Sequence, residues 1–368
     1  MERVKAFIKK EAVLCIAAVL AIASMFFVPP DGEYPGYIDF RTLFLLFSLM
    51  TVVAGFRDAG TFSALSHTLL QRVRSARGVV LCLTLICFFS SMLITNDVAL
   101  LTFVPFSILL LSQAGLQKLT VLTVTLQTIA ANLGSMLTPI GNPQNLYIYS
   151  RSGMDIGTFI GILLPYAAFS LLLLALSCLF VKKEAAAPQT GEKAQRSTRS
   201  ELICAALFVL SLLSVLRVLE AWIAALVTLL VMLVYNGKLL KRVDYCLLLT
   251  FVCFFVFIVN MGRIEPIREF LSAFITGREM LTGALLSQII SNVPAAVLLS
   301  AFSENWQELL IGVNIGGLGT LIASLASLIS YKLYVASENA QSKRFMFVFT
   351  GFNVIFFVLL TALWVIMS

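Results

Sequence analysis

Charge is scarce in this sequence: Asp, Glu, Lys and Arg together make up 12% of its 368 residues. Histidine is nearly missing, with His67 the single example. No two of the seven cysteines are spaced as CxxC, and Cys15, Cys82, Cys87, Cys178, Cys204, Cys246 and Cys253 all lie in apolar runs. A structural metal site or a disulfide framework needs such residues paired at ligand spacing. The cysteines therefore read as small hydrophobes, and no metal centre or cofactor is expected from them. An intramembrane hydrolase would need a nucleophile with a base, paired aspartates or a metal cluster. One histidine on a surface-type stretch and one aspartate in an apolar setting do not supply these, so hydrolysis is the remote alternative. The net charge of +7 does not point to nucleic acid, because the basic residues sit in short loops between apolar runs.

Apolar residues are what the chain has, at 60%. That composition predicts an all-α polytopic membrane protein. Straight spans are expected at residues 13–28, 40–56, 159–181, 202–216, 221–235, 246–261 and 345–367. The first follows a basic leader, yet it runs on past Ala21-Ile-Ala23, so it reads as a retained span and not as a cleaved signal. Residues 61–74 and 263–275 place apolar side chains on one helical face and read as interfacial helices; His67 falls on the former. Residues 182–200 are polar and low in aromatics, a cytoplasmic linker.

Two stretches cannot be plain spans. Residues 132–145 read NLGSMLTPIGNPQN and carry Gly134, Pro139, Gly141 and Pro143 inside an apolar run. No unbroken helix passes through that composition. A broken helix at 119–149 is expected, since freed backbone groups are tolerated in hydrocarbon only against protein or a water-filled cavity. A related stretch, NIGGLGTLIASLASL, begins at Asn314, an offset of 182 from Asn132. Gly134 then matches Gly316, Ser135 matches Gly317 and Thr138 matches Thr320. Upstream, Ser91-Met-Leu-Ile-Thr-Asn96 matches Ser287-Gln-Ile-Ile-Ser-Asn292 at an offset of 196. Ile38-Asp-Phe40 matches Val243-Asp-Tyr245 more weakly. The ordered matches predict two repeats, residues 1–181 (with the N-terminal span) and 201–368, with a second broken helix at 309–334.

Short apolar arms flank each upstream motif, at 79–94 and 98–111, and again at 280–290 and 293–302. They are shorter than the ~20 residues a span needs, so each pair reads as a re-entrant hairpin with its tip at Thr95 to Asp97 or at Ser291-Asn292. With the N-terminus cytoplasmic, twenty of the twenty-six basic residues fall inside, and Arg41, Arg151, Arg217, Arg263, Arg268 and Arg278 fall outside. This is the expected bias. It gives nine spans and two hairpins in the cell membrane, with repeats of inverted topology, an architecture of secondary transporters.

With these motifs in hand, the chain resembles an ion transporter superfamily. TPIGNPQN, starting at Thr138, is similar to the TPIG-x-PPN signature of the citrate transporter and divalent anion:sodium symporter families. Thr95-Asn96-Asp97 resembles the TND of arsenite permeases and stands where the symporters carry SNT. Ser291-Asn292-Val293-Pro294 is similar to the second tip of the group, and the segment from Asn314 resembles the late arsenite permease segment. The resemblance implies elevator-like alternating access, with an anion held between two hairpin tips and two broken helices, often with sodium. The pattern departs from the family's in three places. The second tip lacks a third side-chain oxygen, the second broken helix has no TPIG proline, and the first half has no counterpart of residues 202–216. A symmetric pair of sodium sites is therefore not expected.

The residues expected to meet substrate are Asn96, Thr138, Pro139, Asn142, Ser291, Asn292, Asn314 and Thr320. New helices are expected to start at Val98 and at Val293-Pro294. Their free N–H groups and positive ends can hold an anion without an arginine, and no Lys or Arg is expected deep in the membrane. The residues expected around a coupling cation are Thr95, Asn96, Asp97, Asn132, Gly134, Ser135, Gly316 and Gly317. Sodium is expected at Thr95, Asn96 and Asp97, because a cation cage needs several oxygens. Asp97 is the one acid expected deep in the bilayer, which marks an ion or proton pathway. Simple helix capping by Asn96, Asp97 and Asn292 is the alternative. The function expected is cation-coupled transport of a small anion, with sodium/proton antiport as the alternative. A channel is disfavoured, since it has no use for two re-entrant tips. The lipid bilayer is the expected surrounding, and a homodimer is compatible with it.

Overall fold

A computed structural model describes residues 11–61, 73, 75–184, 197–337 and 340–368. His67, the first ten residues, most of the 61–74 stretch and residues 185–196 of the linker lie outside them. Every described element is helical: α1 (Ala12–Met25), α2 (Tyr34–Tyr37), α3 (Phe40–Asp58), α4 (Ala76–Ile94), α5 (Asn96–Gln113), α6 (Thr120–Ser135), α7 (Pro143–Ser152), α8 (Ile156–Cys178) and α9 (Thr198–Val215). There follow α10 (Ala221–Asn236), α11 (Tyr245–Arg263), α12 (Glu265–Ile275), α13 (Glu279–Ile290), α14 (Asn292–Leu299), α15 (Trp306–Ile315), α16 (Leu325–Val335) and α17 (Ser342–Met367). Among the described residues, seven of these helices are long and apolar enough to cross a membrane.

Local chemistry sets the helix starts. Asp39 and Asp244 accept from the N–H groups of Thr42 and Leu247, capping α3 and α11, both 19 residues long. Asn142 caps α7, whose first residue is Pro143, and Gly153 ends it in the left-handed region. Hydroxyls inside the helices bond back to carbonyls one turn earlier, as at Ser48, Thr51, Thr84, Thr128 and Ser287. That satisfies polar groups where no water is at hand.

Two helix pairs differ from expectation in length. In the first, α4 and α5 have 19 and 18 residues. They are about 28 and 27 Å long, close to a bilayer's hydrocarbon thickness, because Ser75 caps α4 earlier than hydropathy indicates. In the second, α13 and α14 have 12 and 8 residues, about 18 and 12 Å, too short to span. The second pair returns to where it began, since the Ser303 hydroxyl donates to Glu279 at 3.0 Å. In the first pair, Val79 and Leu83 near the start pack with Leu110 and Leu111 near the end.

The helices form two groups that cut across the halves of the chain. In one group α1 packs on α11, and α9 and α10 pack on α3. In the other, α6 is surrounded by α4, α5, α8, α16 and α17, while α13 and α15 pack on each other. Small residues allow the closest approaches: a Cβ on Gly134 would run into the Phe88 carbonyl, and one on Gly312 into the Met280 carbonyl. The two groups meet where α7 lies on α3 and α14 lies on α11.

Candidate functional site

The two helix pairs turn in the same way. Thr95 has φ 66° and ψ 149°, and Ser291 has φ 77° and ψ 154°. Neither is glycine, so each turn holds a backbone conformation that costs about 1–3 kcal/mol. The next residue in each case donates its N–H across to a broken helix. Asn96 donates to the Gly141 carbonyl at 3.0 Å, and Asn292 to the Ala323 carbonyl at 2.9 Å. The Thr138 hydroxyl donates to the Met92 carbonyl and the Thr320 hydroxyl to the Gln288 carbonyl. Helix restarts at Asn96 and Asn292, earlier than the Val98 and Val293-Pro294 starts expected. Thr95 and Ser291 hold the cap positions without a side-chain cap bond, while Asn96 Oδ1 accepts the Asp97 N–H at 2.9 Å. The strained turn brings the first N–H out to the broken helix, which replaces a cap.

Between the breaks lies a buried knot of amides and hydroxyls. Asn132 Oδ1 accepts from Asn96 Nδ2 and from Ser324 Oγ, both at 3.0 Å. Asn132 Nδ2 faces the Gly317 carbonyl and Ser327 Oγ, each at 3.4 Å. In the other half Asn314 Nδ2 donates to Asn145 Oδ1 at 2.7 Å, and Asn142 Nδ2 donates to Asn314 Oδ1 at 3.3 Å. Ser135 Oγ accepts from Asn142 Nδ2 at 3.1 Å. Each broken helix is thus tied to the other by side chains at the same positions.

The other face of the first tip opens into a cavity of about 180 Å³ between the helix groups. Thr95, Asp97, Asn142 and Pro143 line one wall, and Arg57, Arg242 and Asp244 the other. Asp97 is half-buried, and among the described residues no group donates a hydrogen bond to its carboxylate. Arg57 reaches from the end of α3 to the Leu101 carbonyl at 3.2 Å, and Arg242 pairs with Asp58 at 2.7 Å. Arg57, Arg242 and Asp244 line this cavity from exposed positions at helix ends, so long side chains bring charge to it from the edge of the helix group.

At the end of α14 away from the second tip, the space against α7 and α11 is filled. Tyr147 of α7 shares a 2.7 Å hydrogen bond with Ser300 and packs against Phe255 and Phe251, ring centres 5.7 and 6.4 Å away. Nearby, Arg217 donates to the carbonyls of Tyr149 and Gly153 at 2.8 and 2.9 Å and lies over the Tyr149 ring.

The expected site residues divide accordingly. Asn96, Asn132, Ser135, Asn142 and Asn314 come together in the knot, with Gly317 supplying a carbonyl. Asn292 is buried beside Gly317, and Ser291 is buried at the second tip. Thr95 and Asp97 face the cavity while Asn96 faces the knot, so the structure splits the three expected sodium ligands between two surroundings. Gly134 and Gly316 pack against α4 and α13, and Pro139 is buried within the first break. Thr138 is committed to a carbonyl, and Thr320 is exposed at the far side of its break. The reading of residues missed Asn145, Ser324 and Ser327. The 182 offset pairs Ser324 with Asn142 and Ser327 with Asn145, a signal that was present. Nothing in the sequence pointed to Tyr147 and Ser300.

A helical membrane protein whose two broken helices meet at a polar knot, beside a cavity, has the build of a transporter. The chain belongs to the citrate transporter family, whose sequence model matches residues 1–307. It is 35% identical to an uncharacterized transporter of Methanocaldococcus jannaschii over 84% of this chain and 85% of that one. It is 32% identical to the inner membrane protein YbiR of Escherichia coli over 86% of each. A silicon efflux transporter of Oryza sativa is 32% identical over 46% of this chain and 34% of its own length.

Proposed function

We propose that the chain is a secondary active transporter of small anions, a di- or tricarboxylate or an inorganic oxyanion, coupled to Na+ or H+ by elevator-like movement. The observation that carries this is the cavity between the two helix groups. It joins the positive N-terminal end of α7, at Asn142 and Pro143, to two arginines and to Asp97. An anion is attracted by the first two features and repelled by the third. Sodium or a proton at Asp97 removes the repulsion, which makes binding of anion and cation interdependent. Thr95 beside it adds an oxygen for sodium.

The helix groups support the movement. The group around α6 carries both tips and both breaks, and it touches the other group through α7 and α14. The first tip opens to the cavity, while Tyr147, Phe251, Phe255 and Ser300 pack α7, α11 and the end of α14 together, an asymmetry that fits one end state of alternating access. The matched tip bonds and the matched caps of α3 and α11 support two inverted repeats. Long-range arginine contacts join segments assigned to one side: Arg77 with Leu179 and Val181, Arg41 with Ser214, Arg217 with Gly153. These support the relative sidedness of the segments, and the placement of basic residues supports a cytoplasmic N-terminus.

The test is uptake into liposomes by purified protein. Citrate, succinate, sulfate and arsenite form the screen, and the silicon efflux relative adds silicic acid. Uptake of at least one should rise several-fold with an inward Na+ or H+ gradient. Asp97→Asn should bind substrate but lose uphill uptake and its ion dependence. Unchanged ion and pH dependence in this variant would remove Asp97 from coupling. The second acid in the cavity, Asp244, favours one other reading, Na+/H+ antiport, which would appear as a sodium-driven pH change without any anion.

A further inference from the structure

A second cavity lies away from this site. It holds about 580 Å³ where the end of α5, the turn before α6, the end of α16 and the start of α17 come together. Its lining changes character from one end to the other. Pro105, Ile108 and Leu109 form an apolar wall on α5, and Leu109 is 59% exposed. Lys118 and Arg344 line the other end with Ser112, Gln117, Ser337 and Gln341. Neither cation has a carboxylate partner among the described residues. Arg344 makes one long contact, to Gln341 at 3.4 Å, and Lys118 makes none among them. Among the described residues, Arg242 and Arg263 are paired with acids at 2.7 Å and Arg268 with Glu265 at 3.9 Å. Lys118 and Arg344 are thus two exposed cations on one cavity rim, with donors left for a ligand.

A soluble anion would use the polar end and leave the apolar wall uncovered. A phospholipid uses both: the phosphate meets Lys118 and Arg344, and an acyl chain lies along Pro105, Ile108 and Leu109. Basic pockets between membrane helices recognise anionic headgroups in this way. We infer that this cavity is a binding site for the phosphate headgroup of an anionic phospholipid. The occupant would touch α5, whose first turn carries Asp97, and α16, whose preceding Ser324 enters the polar knot. It would thus brace the helix group that carries the tips, independently of which substrate is moved.

The experiment uses the full chain, purified and delipidated, and reads binding of dioleoyl phosphatidylglycerol by native mass spectrometry and by thermal shift. Dioleoyl phosphatidylcholine and inorganic phosphate are run in parallel. The expected result is retention of phosphatidylglycerol over phosphatidylcholine, no displacement by millimolar phosphate, and about 30-fold weaker retention in Lys118→Gln/Arg344→Gln, two lost charges at about fivefold each. Lys343→Gln, an exposed neighbour outside the cavity, should bind as the wild type does. Equal retention of both lipids, or no loss in the double variant with folding intact by circular dichroism, would overturn the inference. Binding of free phosphate with no gain from the acyl chains would assign the cavity to a soluble anion instead. Should the double variant fail to fold, Lys118→Arg and Arg344→Lys, which keep the charges, must retain the lipid; their failure to do so would equally overturn it.

Discussion

Asn132 uses both ends of its amide, and its partners come from three other helical segments. In Asn132→Ala, Asn96 Nδ2 and Ser324 Oγ lose their shared acceptor in a dry interior. Each unpaired group costs about 1–3 kcal/mol, so the variant should unfold at clearly lower temperature, read by size-exclusion survival after heating. Asn96→Ala removes one donor and should lose about half as much. Equal stability of Asn132→Ala and wild type would mean that water replaces the knot. A different residue answers to acid. Asp31 sits beside Arg263 at 2.7 Å, whose hydrogen bond is the main reason its carboxyl is held below the usual value. A carboxyl lowered in the folded state stabilises above its unfolded value, and that contribution is lost as pH falls through the folded value. The α1–α2 connection should therefore lose amide protection, taken relative to the intrinsic exchange rate at each pH, as pH falls below the ordinary carboxylate range. Asp31→Asn should show the lower protection at neutral pH as well.

At the scale of elements, the closest approach is that of α6 to α4 at Gly134. The clash for a Cβ there is with the Phe88 backbone carbonyl, which cannot turn aside. At the matching Gly316 the overlap is smaller, with the Ser287 hydroxyl at 2.7 Å and the Gly312 carbonyl and Ser287 Cβ at 2.8 Å, against 2.1 Å to the Phe88 carbonyl at Gly134. Gly134→Ala should therefore reduce folded yield far more than Gly316→Ala, measured by fluorescence-detected chromatography of tagged protein. Comparable yields would show that the two breaks do not depend on contact distance as read here. Both glycines were visible in the sequence as a pair at one offset, as were the breaks and the tip motifs, because composition and spacing are local properties. The reach of Arg57 into the cavity was not visible. Hydropathy places α3's last turn at the membrane edge, and only tertiary packing shows what a long side chain meets there. The length of α4 and α5 was hidden for a similar reason: Ser75 caps a turn whose charged residues, Arg77 among them, find carbonyls on α8's far end.

Over the whole molecule, membrane sidedness is the broadest test. Ser197→Cys should resist an impermeant thiol reagent added to intact cells, and Glu269→Cys should react. The reverse pattern would leave the repeats without the assigned orientation. The sequence indicated two successive halves, but the contacts follow a different division. α1 is in the first half and packs on α11 in the second, while α9, with α10 beside it, is in the second half and packs on α3 in the first. Periodicity within a segment carries no information on which distant segment will face it, so this exchange could not be foreseen. It has a mechanical consequence. The halves are clasped like two links, each gripping the other by its leading helix. Cutting the chain between residues 185 and 196 should leave two fragments that remain together in detergent when made in one cell. Either fragment made alone would lack the partner for its own first helix. A duplicated ancestor of half this length would have needed a second copy to close the same clasp.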